Sequence, residues 1–329
     1  MLEALKHYLA PPVPPDVLAQ LREDAQVNSA GYDPWGLNVE TAERTVRMVR
    51  WIYEKYFRVR TTGIGQVPQG RVMLVGNHGG QLPFDGLLVA LAMALEADPP
   101  RLVRGMVERW FPSLPFISTL FTRCGQTVGD PRNCEELLRR DQAIMVFPEG
   151  VRGSGKTYWH RYELQGFGTG FVRLALATGT PIVPVAVVGT EETYPSVYDA
   201  AWLAKLLGTP YVPVTPFLPA LGLLGLIPLP VRIDLHFGAP IHFDAGPDAT
   251  DEEVHAMVER VKGELQAMID RGLAQRPVLD LLQRVVPGGR KPPRRPSGAL
   301  EDRGPGVTAQ AHSGLGSSAP DPLAPGEGA

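Results

Sequence analysis

Four apolar-rich runs, at residues 72–76, 143–147, 181–188 and 231–237, recur along the chain from Thr61 onward, separated by stretches with helical spacing. Runs of this length and composition read as strands, and the helical stretches fall at 86–97, 133–140, 171–178 and 251–271. Strand and helix therefore alternate. This predicts an α/β fold: a mixed, largely buried sheet covered by helices. Asp248, Thr250 and Asp251 supply a capping signal for the last helix.

Before that core, residues 38–59 read as an amphipathic helix in which Val46, Val49, Trp51, Ile52, Tyr53, Tyr56 and Phe57 interleave with Arg44, Arg47, Arg50, Lys55 and Arg58. A basic, aromatic-rich helix suits a membrane surface; the same pattern serves a helix packed on the core with a solvated basic face. Both uses are expected here, packing for part of the stripe and lipid contact for the rest. The organisation that follows is an N-terminal helical, membrane-associating region at 1–60, a catalytic domain at 61–286, and a Pro/Gly/Ser/Ala-rich tail at 287–329. The tail has too few large apolar residues to fold and is expected to be disordered.

Composition narrows the function. A net charge of −3 gives no global case for nucleic acid. Cys124 and Cys134 lack metal-ligand spacing, form no disulfide framework and suit a reducing cytoplasm. No signal-peptide pattern opens the chain and no apolar stretch reaches the length of a spanning helix. The nearest, residues 217–231, is broken by Pro219, Pro228, Pro230, Gly222 and Gly225. It reads either as a half-buried loop over the core or as a segment dipping into a bilayer. No metal site is implied, because no His/Cys/Asp/Glu cluster has ligand spacing.

The chemistry concentrates at two strand ends. The first strand stops at Gly76-Asn77-His78, and a loop holding Gly79, Gly80 and Pro83 separates His78 from Asp85. The second runs into Pro148-Glu149-Gly150, followed by Arg152. A His with a nearby Asp forms a base and its orienter, the carboxylate fixing the tautomer and stabilising the imidazolium. If His78 stood at the start of the next helix, the positive helix end would favour the neutral ring. Asp85 could equally cap that helix.

These residues resemble the motifs of the glycerolipid acyltransferase family. Asn77, His78 and Asp85 match its first motif, and Phe147-Pro148-Glu149-Gly150-Val151-Arg152 its third. The segment from Gly125 to Arg132 is similar to the second, and Ile182-Val183-Pro184-Val185-Ala186-Val187 to the fourth. The four occur in the family's order. The resemblance implies an O-acyltransferase that moves a fatty acyl group from acyl-CoA or acyl carrier protein to a glycerolipid hydroxyl such as that of 1-acylglycerol-3-phosphate. These two are co-substrates, and no cofactor is implied. By the same resemblance His78 is the general base and Asp85 its orienter, while Glu149, Gly150, Arg152 and Arg132 bind the acceptor. Membrane lipids would be the partners, with the enzyme cytoplasmic and peripheral on the inner face of the cell membrane.

Two departures matter. Six residues, rather than the usual four, lie between His78 and Asp85. On a straight helix that offset is about two turns, too far for contact, so a loop must bring Asp85 back. Some members of the branch that includes mono- and diacylglycerol acyltransferase-like proteins are similarly lengthened, and a resemblance to that branch implies mono- or diacylglycerol as the alternative acceptor. Val151 replaces the usual Thr and removes a hydroxyl beside the phosphate site that the resemblance implies.

Gly150 to Thr157 also satisfies the pattern G-x-x-x-x-G-K-[ST] of a nucleotide-binding phosphate loop. Such a loop opens directly into a helix, and Tyr158-Trp159-His160-Arg161-Tyr162 is a poor helix opening. A nucleotide enzyme and a catalytically silent lipid-binding relative are the alternatives. Lys156 reads equally as a phosphate ligand or a surface lysine, and Arg123, His160, Arg161, Glu191 and Glu192 receive no role. The absence of a G-x-S-x-G elbow argues against a serine hydrolase.

Overall fold

A computed structural model describes residues 12–79, 84–108, 116–200, 213–215 and 222–276, all within one unit, Met1–Pro293. Among the described residues two helices come first, α1 (Pro15–Asp24) and α2 (Val39–Trp51). Pro15 opens α1, where a missing N–H leaves no helical bond unmade. Asn38 caps α2 by accepting the Thr41 N–H at 2.9 Å. A π-helical turn, Ile52–Tyr56, continues α2, so helical structure fills most of the expected 38–59 span.

The strands are β1 (Arg60–Thr62), β2 (Val72–Gly76), β3 (Val103–Val107), β4 (Thr127–Val128), β5 (Ala143–Val146), β6 (Ile182–Val188), β7 (Tyr198–Asp199), β8 (Pro213–Val214) and β9 (Asp234–Phe237). Between and after them come helices α3 (Phe84–Leu95), α4 (Ile117–Arg123), α5 (Pro131–Arg139), α6 (Val151–Ser154), α7 (Gly170–Thr178), α8 (Thr190–Thr193) and α9 (Asp251–Ala274). Seven strands form one sheet in the order β1-β9-β6-β2-β5-β3-β4, with β7 and β8 paired separately. Every pair in the large sheet is parallel except β6–β9. The sheet is therefore mixed, as expected, with β2 at its centre.

The central strands are apolar throughout because both their faces are covered. Val72 and Leu74 of β2, Ala143 and Met145 of β5, and Val183, Val185 and Val187 of β6 share one cluster with Leu88, Val89 and Met93 of α3. Their alternate neighbours Met73, Val75, Ile144 and Ile182 pack on the other face with Leu137, Leu138, Val172, Val254 and Val258 of α5, α7 and α9. The period-two alternation of side chains produces this division.

The expected strand at 231–237 begins only at Asp234, because its partner β6 ends at Val188, which pairs with Asp234. Thr250 caps α9 in a reciprocal capping box with Glu253, as the acid- and Thr-rich run 248–251 foretells. The aromatic stripe of α2 and its π turn faces inward. Tyr53 and Phe57 are buried in the core, and Tyr56 donates its hydroxyl hydrogen to the Pro228 carbonyl at 2.5 Å. Arg50 and Arg58 hold the carbonyls of Pro12 and Pro230, while Arg44, Arg47 and Met48 are exposed on α2. In the segment 217–231, residues 217–221 lie outside the described residues; of the rest, Leu224 and Ile227 are exposed. The tail at 287–329 also lies outside them.

Candidate active site

Three parallel strands side by side, β5-β2-β6, put their carboxyl ends at one edge, where α/β sheets place their ligands. From these ends emerge Asn77-His78, Pro148-Glu149 and Gly189-Thr190-Glu191. Asn77 extends the β2–β6 ladder with its side chain. Its Nδ2 donates to the Val187 carbonyl at 3.0 Å and its Oδ1 accepts the Val187 N–H at 2.8 Å. This fixes the point at which the chain leaves the sheet and His78 begins.

His78 Nδ1 is hydrogen-bonded to Asp85 Oδ2. The contact is made across a strand-to-helix junction, His78 just past β2 and Asp85 in the first turn of α3, so helical spacing is irrelevant to it. Asp85 is fully buried and also accepts two main-chain hydrogen bonds, Oδ2 from the Gly79 N–H at 3.1 Å and Oδ1 from the Gly86 N–H at 2.8 Å. The His78 ring stacks on Phe147, with centroids 4.5 Å apart. With Nδ1 engaged, Nε2 is the nitrogen left to take a proton. His78 lies at the exit of β2, outside the helix itself. Burial opposes the charged ring, but the Asp85 carboxylate, aided by Glu149, outweighs it and holds the pKa above the usual value.

Glu149 is buried and turned toward protein donors. Oε1 accepts the His78 N–H at 3.0 Å, and Oε2 accepts the Gln165 N–H at 2.8 Å and faces the Lys156 ammonium at 3.3 Å. Gly150 turns the chain at φ +56°, a left-handed conformation that glycine adopts without strain. Arg152 is exposed and donates from Nη2 to the Gly166 carbonyl at 3.2 Å. Arg132 sits in the first turn of α5, exposed, after β4 at the far edge of the sheet. Three strand positions separate β4 from β2, about 14 Å at the usual spacing. The fold therefore brings His78, Asp85 and Glu149 into direct contact and leaves Arg132 apart.

Lys156 is not a surface lysine. Its side chain is 5% exposed and lies between Glu149 and Glu191 Oε1, the latter at 3.4 Å. The helix inside the nucleotide-loop pattern, α6, is a single turn that ends before Lys156, and a short 3₁₀ segment, Tyr158–His160, follows. The ammonium is thus engaged by carboxylates rather than placed at a helix N-terminus to meet phosphates. Sequence reasoning gave Glu191 no role, because nothing local marks a Glu-Glu pair after a strand as buried. Its position is legible only once β6 lies beside β2.

A family model described as Acyltransferase matches residues 58–188. An uncharacterised protein of Mycobacterium leprae is 38% identical over 262 residues, which cover 78% of this chain and 70% of that one. A mouse protein named DGAT1/2-independent enzyme synthesizing storage lipids is 25% identical over 215 residues, 64% of this chain and 59% of the relative. A probable 1-acyl-sn-glycerol-3-phosphate acyltransferase of Mycoplasma genitalium is 26% identical over 176 residues, 50% of this chain and 63% of the relative. The chain belongs to the glycerolipid acyltransferase family and is an acyltransferase enzyme.

Proposed function

We propose that the enzyme transfers a fatty acyl group from acyl-CoA or acyl carrier protein to a hydroxyl of a glycerolipid such as 1-acylglycerol-3-phosphate, with His78 as general base. The observation that carries this reading is the hydrogen bond from the His78 ring to a fully buried Asp85 at the exit of the central strand. Nε2 takes the hydroxyl proton as the acceptor oxygen attacks the thioester carbonyl. The tetrahedral oxyanion then collapses, the carbon–sulfur bond breaks, and the imidazolium returns its proton to the leaving thiolate. Asp85 fixes the tautomer in which Nε2 is the base and stabilises the imidazolium that forms. Arg152, exposed beside Glu149, is the planar donor suited to an acceptor phosphate.

A neutral glyceride acceptor is the second reading. Val151 stands where the family usually has Thr, and one relative is named for storage-lipid synthesis. Labelled acyl-CoA presented with lysophosphatidate, monoacylglycerol and diacylglycerol in parallel decides between them. Release of free thiol in step with acylated lysophosphatidate is the expected result, and acylation of the neutral lipids alone would support the second reading.

The same reading places the enzyme on the inner face of the cell membrane, where such acceptors reside. Among the described residues no helix is long and apolar enough to cross a membrane. Arg47 and Met48 are exposed on α2, Met48 to 70%, and supply a cation and an apolar side chain for lipid contact. Co-sedimentation with anionic vesicles tests this.

A further inference from the structure

Lys156 lies in a Gly-rich loop, yet its ammonium meets protein acceptors that include Glu149 Oε2 at 3.3 Å, Glu191 Oε1 at 3.4 Å and the Glu163 carbonyl at 3.3 Å. Glu149 follows β5 and Glu191 follows β6, the strands on either side of β2. One buried cation thus ties together the exits of both neighbours of the strand that carries His78. The two carboxylates also hold main-chain donors. Glu149 Oε1 holds the His78 N–H, and Glu191 Oε1 also accepts the Tyr162 N–H at 3.0 Å. Glu191 presses on the same segment: a Cβ on Gly79 would lie 2.9 Å from Glu191 Cγ and 2.8 Å from Thr190 Oγ1.

Buried charges are expensive to desolvate, so a carboxylate–ammonium–carboxylate chain persists only where its geometry is held by further hydrogen bonds. Here one of those bonds, from the His78 N–H to Glu149 Oε1, lies on the segment of the base, and the Tyr162 and Gln165 N–H groups and the Glu163 carbonyl supply the rest. We propose that Lys156 and Glu191 are positioning residues of acyl transfer, the Glu149–Lys156–Glu191 bridge fixing the carboxylate that holds the main chain of His78. The inference rests on His78 being the base.

The electrostatics point the same way. His78 faces Asp85 from α3, Glu149 from the β5 exit and Lys156 from the loop after α6. The two carboxylates raise its pKa and the ammonium lowers it. Lys156 faces Glu191 and Glu149, which outweigh its burial and keep it charged. Glu191 faces Lys156, Glu192 and Glu149, and burial pushes its carboxyl up to about 7. Beyond it, Glu192 is engaged by the Tyr162 hydroxyl at 2.5 Å and faces Arg276 and Arg161.

The test compares Lys156→Met, Lys156→Arg and Glu191→Gln with wild type in kcat, KM for acyl-CoA, and the NMR titration of the His78 ring. The His78 signal is assigned by its loss in His78→Gln. Lys156→Met should lower kcat on the order of 10²-fold, the cost of a small misplacement of a reacting group, with KM nearly unchanged. It should also move the His78 titration to higher pH, because a cation has gone. Lys156→Arg should return that titration toward the wild-type position. Should Lys156→Met fail to fold, Glu191→Gln carries the test: it keeps the side-chain shape, should lower kcat, and should shift the His78 titration downward. Folded variants with wild-type kcat and an unmoved His78 titration would overturn the proposal. An active His78→Gln would instead remove the base assignment, while the titration arms still report whether the bridge acts on the ring.

Discussion

Glu149 Oε1 accepts the main-chain N–H of His78 at 3.0 Å, so the acidic residue of one motif fixes the backbone of the histidine in another. The resemblance to known acyltransferases gives Glu149 to the acceptor, yet in the fold both of its oxygens face protein donors. Glu149→Gln would set an amide NH₂ against either the His78 N–H or the Gln165 N–H and Lys156. Donor against donor, buried, is costly. We expect a stability loss of about 3 kcal/mol, the range for breaking one side of a buried pair, measured by urea unfolding, together with reduced kcat.

The His78–Asp85 contact sets a pH dependence. The folded-state pKa of His78 lies above the ordinary value of about 6.5, because Asp85 and Glu149 outweigh burial. The base is therefore neutral only on the alkaline side of that value, and kcat/KM should rise with pH through a limb displaced upward. Asp85→Asn should move the limb to lower pH and reduce kcat less than removal of His78. The stability contribution of the pair has the opposite sense: fully present below the unfolded pKa and lost as pH rises through the folded one. A wild-type limb at or below the ordinary histidine value would contradict the assignment.

Gly153 is a steric requirement. A Cβ there would lie 2.7 Å from Glu149 Cβ and 2.8 Å from His78 Cβ, neither of which is a flexible chain end. Gly153→Ala should therefore displace one of them, with a loss of roughly 1–3 kcal/mol in stability and a fall in kcat. Gly168 is the control, since a Cβ there would meet nothing within 4 Å, and Gly168→Ala should be nearly silent in both assays.

Much of this arrangement was legible in the sequence. The four expected strands all form, since β2, β5 and β6 are buried on both faces and advertise themselves as apolar runs. β3 was missed because Arg104 and Gly105 interrupt it. Arg104 is buried through its bonds to Asp33 and Gln142, partners that no local pattern reveals. β1 and β4 are two or three residues long at the edges, too short for a period to show. At the site, His78, Asp85 and Glu149 follow from motifs at strand ends. Lys156 and Glu191 escaped because their burial depends on the neighbouring strand order, while Arg132 lies in the first turn of α5, after the edge strand β4.

Arg152 tests the acceptor. Its guanidinium matches two phosphate oxygens at once, which a lysine ammonium does not. Arg152→Lys should raise KM for lysophosphatidate and leave KM for monoacylglycerol nearly unaffected, measured in the same acyl-CoA assay. Equal impairment with both acceptors would assign Arg152 to the loop or to the donor.

The general-base role of His78 is tested most directly by His78→Ala. The ring leaves a strand exit rather than the sheet core, so its main packing loss is the stack on Phe147. Turnover of labelled acyl-CoA with an accepted glycerolipid should fall on the order of 10²-fold or more in a protein that still folds, its melting temperature lowered because buried Asp85 loses its ring partner. A folded His78→Ala enzyme with near-normal turnover would contradict the account.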